Sequence, residues 1–434
     1  MTTCNFRPPA FSLQPPACFL ILIIALSTAH AATVDWPQFR GPGGQGHSTA
    51  QQLPATWSET ENIRWKAPVA GLGWSSPAIY GEQIWLTTAA DRDQSLRAIC
   101  IQRDTGEVLH DIEVFRKSDL GRIAAKNSHA SPTAVLDGSH VFVHFGAHGT
   151  ACLTTDGKVV WTRELQYDQR HGPGGSPVVW KDLLIVSCDG PDVQYTIALD
   201  KRTGQVRWKA DHPGKQAYCT PLVIKVNGND QLITSGGEAA IAYSPQDGKE
   251  LWRCRHAGHS VVPRPVAGNG LVYFCTGYWT PALFAVRPDG NSDVTDSKIE
   301  FTVRRGVPHT PSPLLVEHRL YMVSDLGIVT CVDAEKGDEI WRHRLAGNFS
   351  ASPTLADGKI YLLNEQGSMY VLAPGDQFRL LATNHLDGRT LATPAFVGQA
   401  IYLRSDTHLY RIEAPRTLQA GAINSRRNSG TLLR

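Results

Sequence analysis

Gly175-Ser-Pro-Val-Val-Trp180, Leu183-Leu-Ile-Val186 and Tyr195-Thr-Ile-Ala-Leu-Asp200 are three apolar or β-branched runs separated by turn residues, and a fourth run opens at Gln205 and reaches Trp208. Four such runs within 34 residues describe one antiparallel meander. Between the third and fourth runs, Asp200 and Thr203-Gly204 suit a tight turn. Asp can bond its own downstream backbone, and Gly tolerates positive φ. Trp208 follows that glycine by four residues. So large a ring in a short strand needs a neighbouring surface to cover it.

The unit recurs along the chain. Its opening prolines are Pro77, Pro132, Pro177, Pro221, Pro265, Pro313, Pro353 and Pro394, at spacings of 55, 45, 44, 44, 48, 40 and 41 residues. Tryptophan stands four residues after a turn glycine at Trp161, Trp208, Trp252 and Trp341, while the first copy has His110 there. A period of this length with four strands per unit means a β-propeller or a similar array. The expected fold is all-β, with eight blades of four antiparallel strands. The last copy lacks a fourth strand, and Ile63-Arg-Trp-Lys-Ala-Pro-Val69 stands before the first copy without partners. Pairing this N-terminal strand with Leu409–Ile412 closes the ring and leaves no free sheet edge.

The chain has 434 residues and a formal net charge of +2, which gives no electrostatic case for nucleic acid. Ala17–Leu26 is a ten-residue apolar run, too short to span a bilayer, and Ala29-His-Ala31 suits a cleavage site. The expected organisation is a signal peptide over 1–31, an N-terminal arm over 32–62, the propeller over 63–415 and a disordered tail over 416–434. Export to the periplasm or the extracellular space follows, as a monomer that does not span the membrane once the signal is removed. Seven cysteines remain after the signal. Cys100 and Cys331 hold the position of Ala198, and Cys152 lies close to it, so small buried thiols are expected there rather than a disulfide framework.

Ala198-x-Asp200-x-x-Thr203-Gly204-x-x-x-Trp208 resembles the repeat of pyrroloquinoline-quinone-type propellers, in which the tryptophan docks one blade on the next. Trp36-Pro-Gln-Phe-Arg-Gly-Pro42, Trp74-Ser-Ser-Pro77 and Val307-Pro-His-Thr-Pro-Ser-Pro313 are similar to those of exported repeat proteins common in planctomycete-like bacteria. The same repeat looks like that of quinoprotein alcohol dehydrogenases and of the non-catalytic propeller lipoprotein of the outer-membrane β-barrel assembly machinery. The resemblance implies that Trp161, Trp208, Trp252 and Trp341 dock blades. It also makes the first strand of each blade innermost. Residues just before the opening prolines, Trp74, His129, Tyr218, Arg264, His309 and Phe349, are then expected at the channel mouth. The longest interval adds a loop through Arg116, Lys117, Arg122 and Lys126 to the same face.

Several motifs have plainer readings. Gly41-Pro-Gly-Gly-Gln-Gly46 fits a dinucleotide fingerprint by its letters, but no strand precedes it and no helix follows, so a flexible arm is expected. His140, His144 and His148 would lie about 13 Å apart on a strand, too far to share a metal. Asp289, Asn291, Asp293 and Glu300 have the spacing of a calcium loop, but Val294 stands where the turn needs glycine, and a solvated acidic hairpin is expected. No catalytic residue and no metal site is assigned. The quinone enzymes carry adjacent cysteines, and this chain has no such pair. The expected function is a non-catalytic binding or scaffolding module of the envelope, without a cofactor, whose partner is an envelope protein or a glycan. The alternatives are a dehydrogenase using pyrroloquinoline quinone with calcium, and a carbohydrate-binding or carbohydrate-processing propeller.

Overall fold

In the computed structural model the described residues are 1–3, 35–90 and 94–415. Most of the expected signal segment and the whole expected tail fall outside them. Residues 35–415 form eight antiparallel four-stranded sheets, one of which gains a fifth strand. We call the sheets blades 1–8 in chain order and their strands A–D. In blade 3 these are Val178–Trp180, Leu183–Asp189, Gln194–Asp200 and Val206–Asp211. A strands of neighbouring blades touch one another, so A lines the axis and D the rim. Blade 8 takes its D strand from Ile63–Pro68, which pairs antiparallel with His408–Glu413 (Ala67 opposite Leu409). The ring is thus closed by the N-terminal strand.

The local chemistry of the repeat explains how blades join. Ala198 lies opposite Trp208 across strands C and D of blade 3, and a bulge follows at once. Cys152 lies opposite Trp161, Cys331 opposite Trp341 and Cys100 opposite His110, each followed by the same shift of register. A small residue at this point leaves room for the ring, and the bulge adds the twist that turns strand D across the next blade. There each ring meets the turn between strands C and D. Trp161 Nε1 donates to Lys201 O at 3.0 Å, and a Cβ on Gly204 (φ 69°) would come within 2.7 Å of the Trp161 ring. The turn glycine therefore serves both its own left-handed backbone and the neighbour's ring. Trp208 docks on Pro245 O and Gly248 in the same way, and Trp65 docks on Arg103 O and Gly106, so closure from blade 8 to blade 1 repeats the internal joint. Trp208 and Trp252 are buried, while Trp161 and Trp341 are half-buried. Trp252 differs in donating to Gln231 Oε1 at 2.9 Å, within its own blade.

The N-terminal segment departs from the flexible arm expected of it. Residues 36–51 run as a strap beneath the ring, on the side of the turns between strands A and B. Trp36 bridges Ile79 of blade 1, and Pro37 O accepts from Leu136 N of blade 2. His47 Nε2 lies 2.7 Å from Leu315 O of blade 6, Ser48 N donates to Leu355 O of blade 7, and Gln51 N to Gly398 O of blade 8. Close packing of the glycines replaces flexibility. At Gly41 (φ 71°) a Cβ would lie 2.5 Å from the Trp36 ring, and at Gly44 (φ 70°) 2.0 Å from Arg264 Nη1.

Candidate functional site

Strands A fan around the axis and leave a well of about 460 Å³ that opens on the face of the D-to-A loops. Its wall begins with a hydroxyl belt. Ser76 N donates to Thr133 Oγ1, Thr133 N to Ser176 Oγ and Ser176 N to Thr220 Oγ1, each at 2.9 Å. On the other side Arg264 N donates to Ser312 Oγ, Ser312 N to Ser352 Oγ and Ser352 N to Thr393 Oγ1. Blades 1–3 and 5–7 thus each hand one backbone N–H to the hydroxyl of the next, which satisfies inward-facing N–H groups that no sheet pairs. A hydroxyl that accepts in this way keeps its own hydrogen to donate. The belt is interrupted at Arg264, where a guanidinium replaces the hydroxyl.

The lower end is closed by the strap. Phe39 lines the well, and its carbonyl accepts from Arg264 Nη1 at 2.8 Å. Beside it Arg40 is fully buried and donates through Nη2 to Pro313 O at 2.7 Å. Burial and the charge of Arg264 push the Arg40 guanidinium down to about 9, and burial alone takes Arg264 to about 10. Carbonyls, not carboxylates, are the hydrogen-bond partners found for both groups among the described residues.

At the mouth, Trp74 and Tyr218 line the well. Burial pushes the Tyr218 phenol up to about 12. His309 stacks on Tyr278 with ring centroids 4.5 Å apart and planes 14° apart. The other three residues expected at the mouth are drawn elsewhere. His129 is buried with its ring 5.8 Å from that of His148. Arg264 belongs to the belt, and Phe349 is fully buried against Tyr370 in the hydrophobic core. Residues at equal distance from the proline do not point alike, because the D-to-A loops differ in length and a large apolar ring is drawn to cover.

The belt and the pair Tyr278–Trp279 lie outside the repeat pattern that marks the blades. These two belong to the loop between strands B and C of blade 5, framed as Gly277-Tyr-Trp-Thr-Pro281. Two aromatics between a glycine and a proline, in a turn with no strand to bury them, were the available signal. Trp279 has φ 72° and is 78% exposed, resting on His259 at 4.1 Å. A bulky residue in left-handed backbone is a genuine outlier, held here against both strain and solvent. Lys126, from the long loop between blades 1 and 2, reaches blade 7 and pairs with Glu365 at 2.5 Å.

Other candidate groups are engaged elsewhere. His144 is buried on Thr150 Oγ1, and His148 faces Leu120 O. Asp289 pairs with Lys298, Asp293 with Arg255 and Glu300 with Arg287. The insertion carrying them adds a fifth strand, Ser292–Asp293, parallel to strand D of blade 4. Among the described residues no cluster of His, Cys, Asp or Glu is fit to hold a metal. Among the described residues the well wall has no carboxylate, and the nearby Cys219 has no cysteine next to it in the sequence. A calcium ion needs hard, charged oxygens, so this donor set does not suit a calcium-held quinone.

Residues 47–193, 193–291 and 285–414 match the family model described as outer membrane protein assembly factor BamB. The chain is similar to the outer membrane protein assembly factor BamB of Yersinia pestis, at 24% identity over 198 residues, 40% of this chain and 48% of that protein. It therefore spans about half the length of the curated relative it matches. BamB from Moraxella catarrhalis has a similar fold, with TM-score 0.60 at 13% identity over 82% of this chain and 98% of that one. So does a quinohemoprotein alcohol dehydrogenase from Comamonas testosteroni, with TM-score 0.66 at 11% identity over 94% of this chain and 83% of that one.

Proposed function

The chain belongs to the family of the outer membrane protein assembly factor BamB, and from that membership we propose that it is an exported, non-catalytic propeller that binds and positions envelope proteins. The observation that carries this reading is the exposed pair Tyr278–Trp279 on the loop face. Exposed aromatic anchors beside a rigid concavity are the groups that dominate protein recognition. The apolar run Ala17–Leu26 and the Ala29-His-Ala31 site support export. By analogy with the named relative, the partners would be proteins engaged in outer-membrane assembly.

The test is genetic and biochemical. Deleting the gene in its native host should lower the amount of folded outer-membrane β-barrel protein. The full-length chain should restore it, and the double variant Tyr278→Ala/Trp279→Ala should not, although it is made in normal amount. An unchanged level of β-barrel protein in the deletion strain sinks the reading. If the purified chain, mixed with pyrroloquinoline quinone and calcium, instead reduces a dye when alcohol is added, the protein is a dehydrogenase.

A further inference from the structure

We infer that the well is also a binding site for a small acidic saccharide, with the sugar ring against Tyr278 and Trp279 and its carboxylate on Lys126 and the belt. This goes beyond the protein-binding role and does not depend on it.

Among the described residues the wall carries hydroxyls and one lysine but no carboxylate. The belt hydroxyls accept backbone N–H groups from their neighbours, which leaves their hydrogens directed elsewhere. Trp74, which lines the well and is buried, has an indole N–H with no acceptor among the described residues. That nitrogen has no exposed surface, so Trp74 offers a ligand the face of its ring and not its N–H. Apart from histidine, the one charged side chain on the wall is Lys126, among the described residues. Beneath the floor Arg40 and Arg264 add positive charge with carbonyls alone for partners. Donors converging on a pocket without a carboxylate favour an anion.

The rim decides what the anion is attached to. Tyr278 and Trp279 present flat apolar faces at the opening, which suit the C–H face of a pyranose. An extended peptide is the poorer fit. Peptides are usually captured along a free strand edge, and here the inward N–H groups already serve the belt. Lys126 pairs in the free protein with Glu365, which also accepts from Ser350 Oγ at 2.8 Å. A ligand carboxylate must draw the lysine from Glu365, so that glutamate sets the affinity without touching the sugar.

Calorimetric titration of the purified chain with trigalacturonate and with its neutral methyl ester tests the inference. Trigalacturonate should bind, weakening as salt rises, and the ester should bind at least tenfold more weakly. Lys126→Met should cost about tenfold, the scale of one charged hydrogen bond. Glu365→Gln should tighten binding, and Trp279→Ala should weaken both ligands alike. Equal binding of acid and ester, indifference to Lys126→Met, or no binding of either sugar overturns the inference. A tripeptide with a free C-terminal carboxylate that binds as tightly as trigalacturonate overturns the saccharide assignment. None of these outcomes bears on β-barrel assembly in the cell.

Discussion

Trp208 of blade 3 donates its indole N–H to Pro245 O of blade 4 at 3.0 Å, and its ring lies where a Cβ on Gly248 would stand. One residue thereby joins two blades by a hydrogen bond and by packing. Trp208→Ala removes both and leaves a cavity, at a cost of about 3–5 kcal/mol. Gly248→Ala should also destabilise, because the added methyl meets the ring and φ is 73°. Thermal unfolding followed by circular dichroism measures both. An unchanged melting temperature for either variant contradicts the joint. Trp341→Ala should cost less, since that ring is half-buried.

Acid should weaken the fold. Burial takes His144 down to about 3 and His256 to about 4 from an ordinary 6.5. Below 6.5 the unfolded chain binds protons at these sites that the native chain does not. Stability therefore falls as pH drops from 6.5 towards 4, by about 1.4 kcal/mol per unit for each group. His212 works the other way: Asp189 outweighs its burial and raises it, so its contribution is present at low pH and lost as pH rises. Denaturant titrations at pH 7, 5.5 and 4.5 give the slope, and His256→Leu should flatten it. A slope identical in the variant refutes the assignment.

All seven described cysteines are buried and unpaired with one another. Burial lifts the thiols of Cys100, Cys152, Cys219, Cys254 and Cys331 to about 12, far from the thiolate form that reacts. A thiol reagent should find none of them at pH 8 in the native protein and all seven in guanidinium. Rapid labelling of any of these seven in the native protein, located by peptide mass spectrometry, would contradict this burial.

Calcium should leave the melting temperature unchanged. Asp289, Asp293 and Glu300 are each held by a lysine or an arginine on the hairpin or on its neighbour strand. A rise in melting temperature with calcium, lost in Glu300→Gln, would reinstate a calcium loop.

The blades and their closure were legible because they rest on local chemistry at fixed offsets. Asp200, Gly204 and Trp208 sit within one turn and one strand, and the missing fourth strand of the last copy matched Ile63–Pro68 in pattern. The belt was not legible, because Ser and Thr beside a proline also read as ordinary turn residues. Nor could the offset from the proline tell Tyr218, which lines the well, from His129, which is buried away from it, since each stands three residues before its proline. That choice depends on loops of unequal length folding over different neighbours. The strap was misread for a related reason. Gly41–Gly46 owes its order largely to Arg264 and Pro313, partners far away in the chain.

The strap also bears on how the protein is made. Its residues are among the first of the ring to leave the ribosome, and although Ile79 and Leu136 follow soon, its other partners come far later. Arg40 awaits Pro313, 273 positions on, and Ser48 awaits Phe396, 348 positions on. Contacts so distant in sequence slow folding, and during the wait an unsealed sheet edge stays open to other chains. Synthesis of blades 1–7 alone therefore yields no finished product. The early segment works as a latch that shuts in stages and is complete only when the last blade arrives, so a chain broken off before that blade keeps part of its own beginning loose.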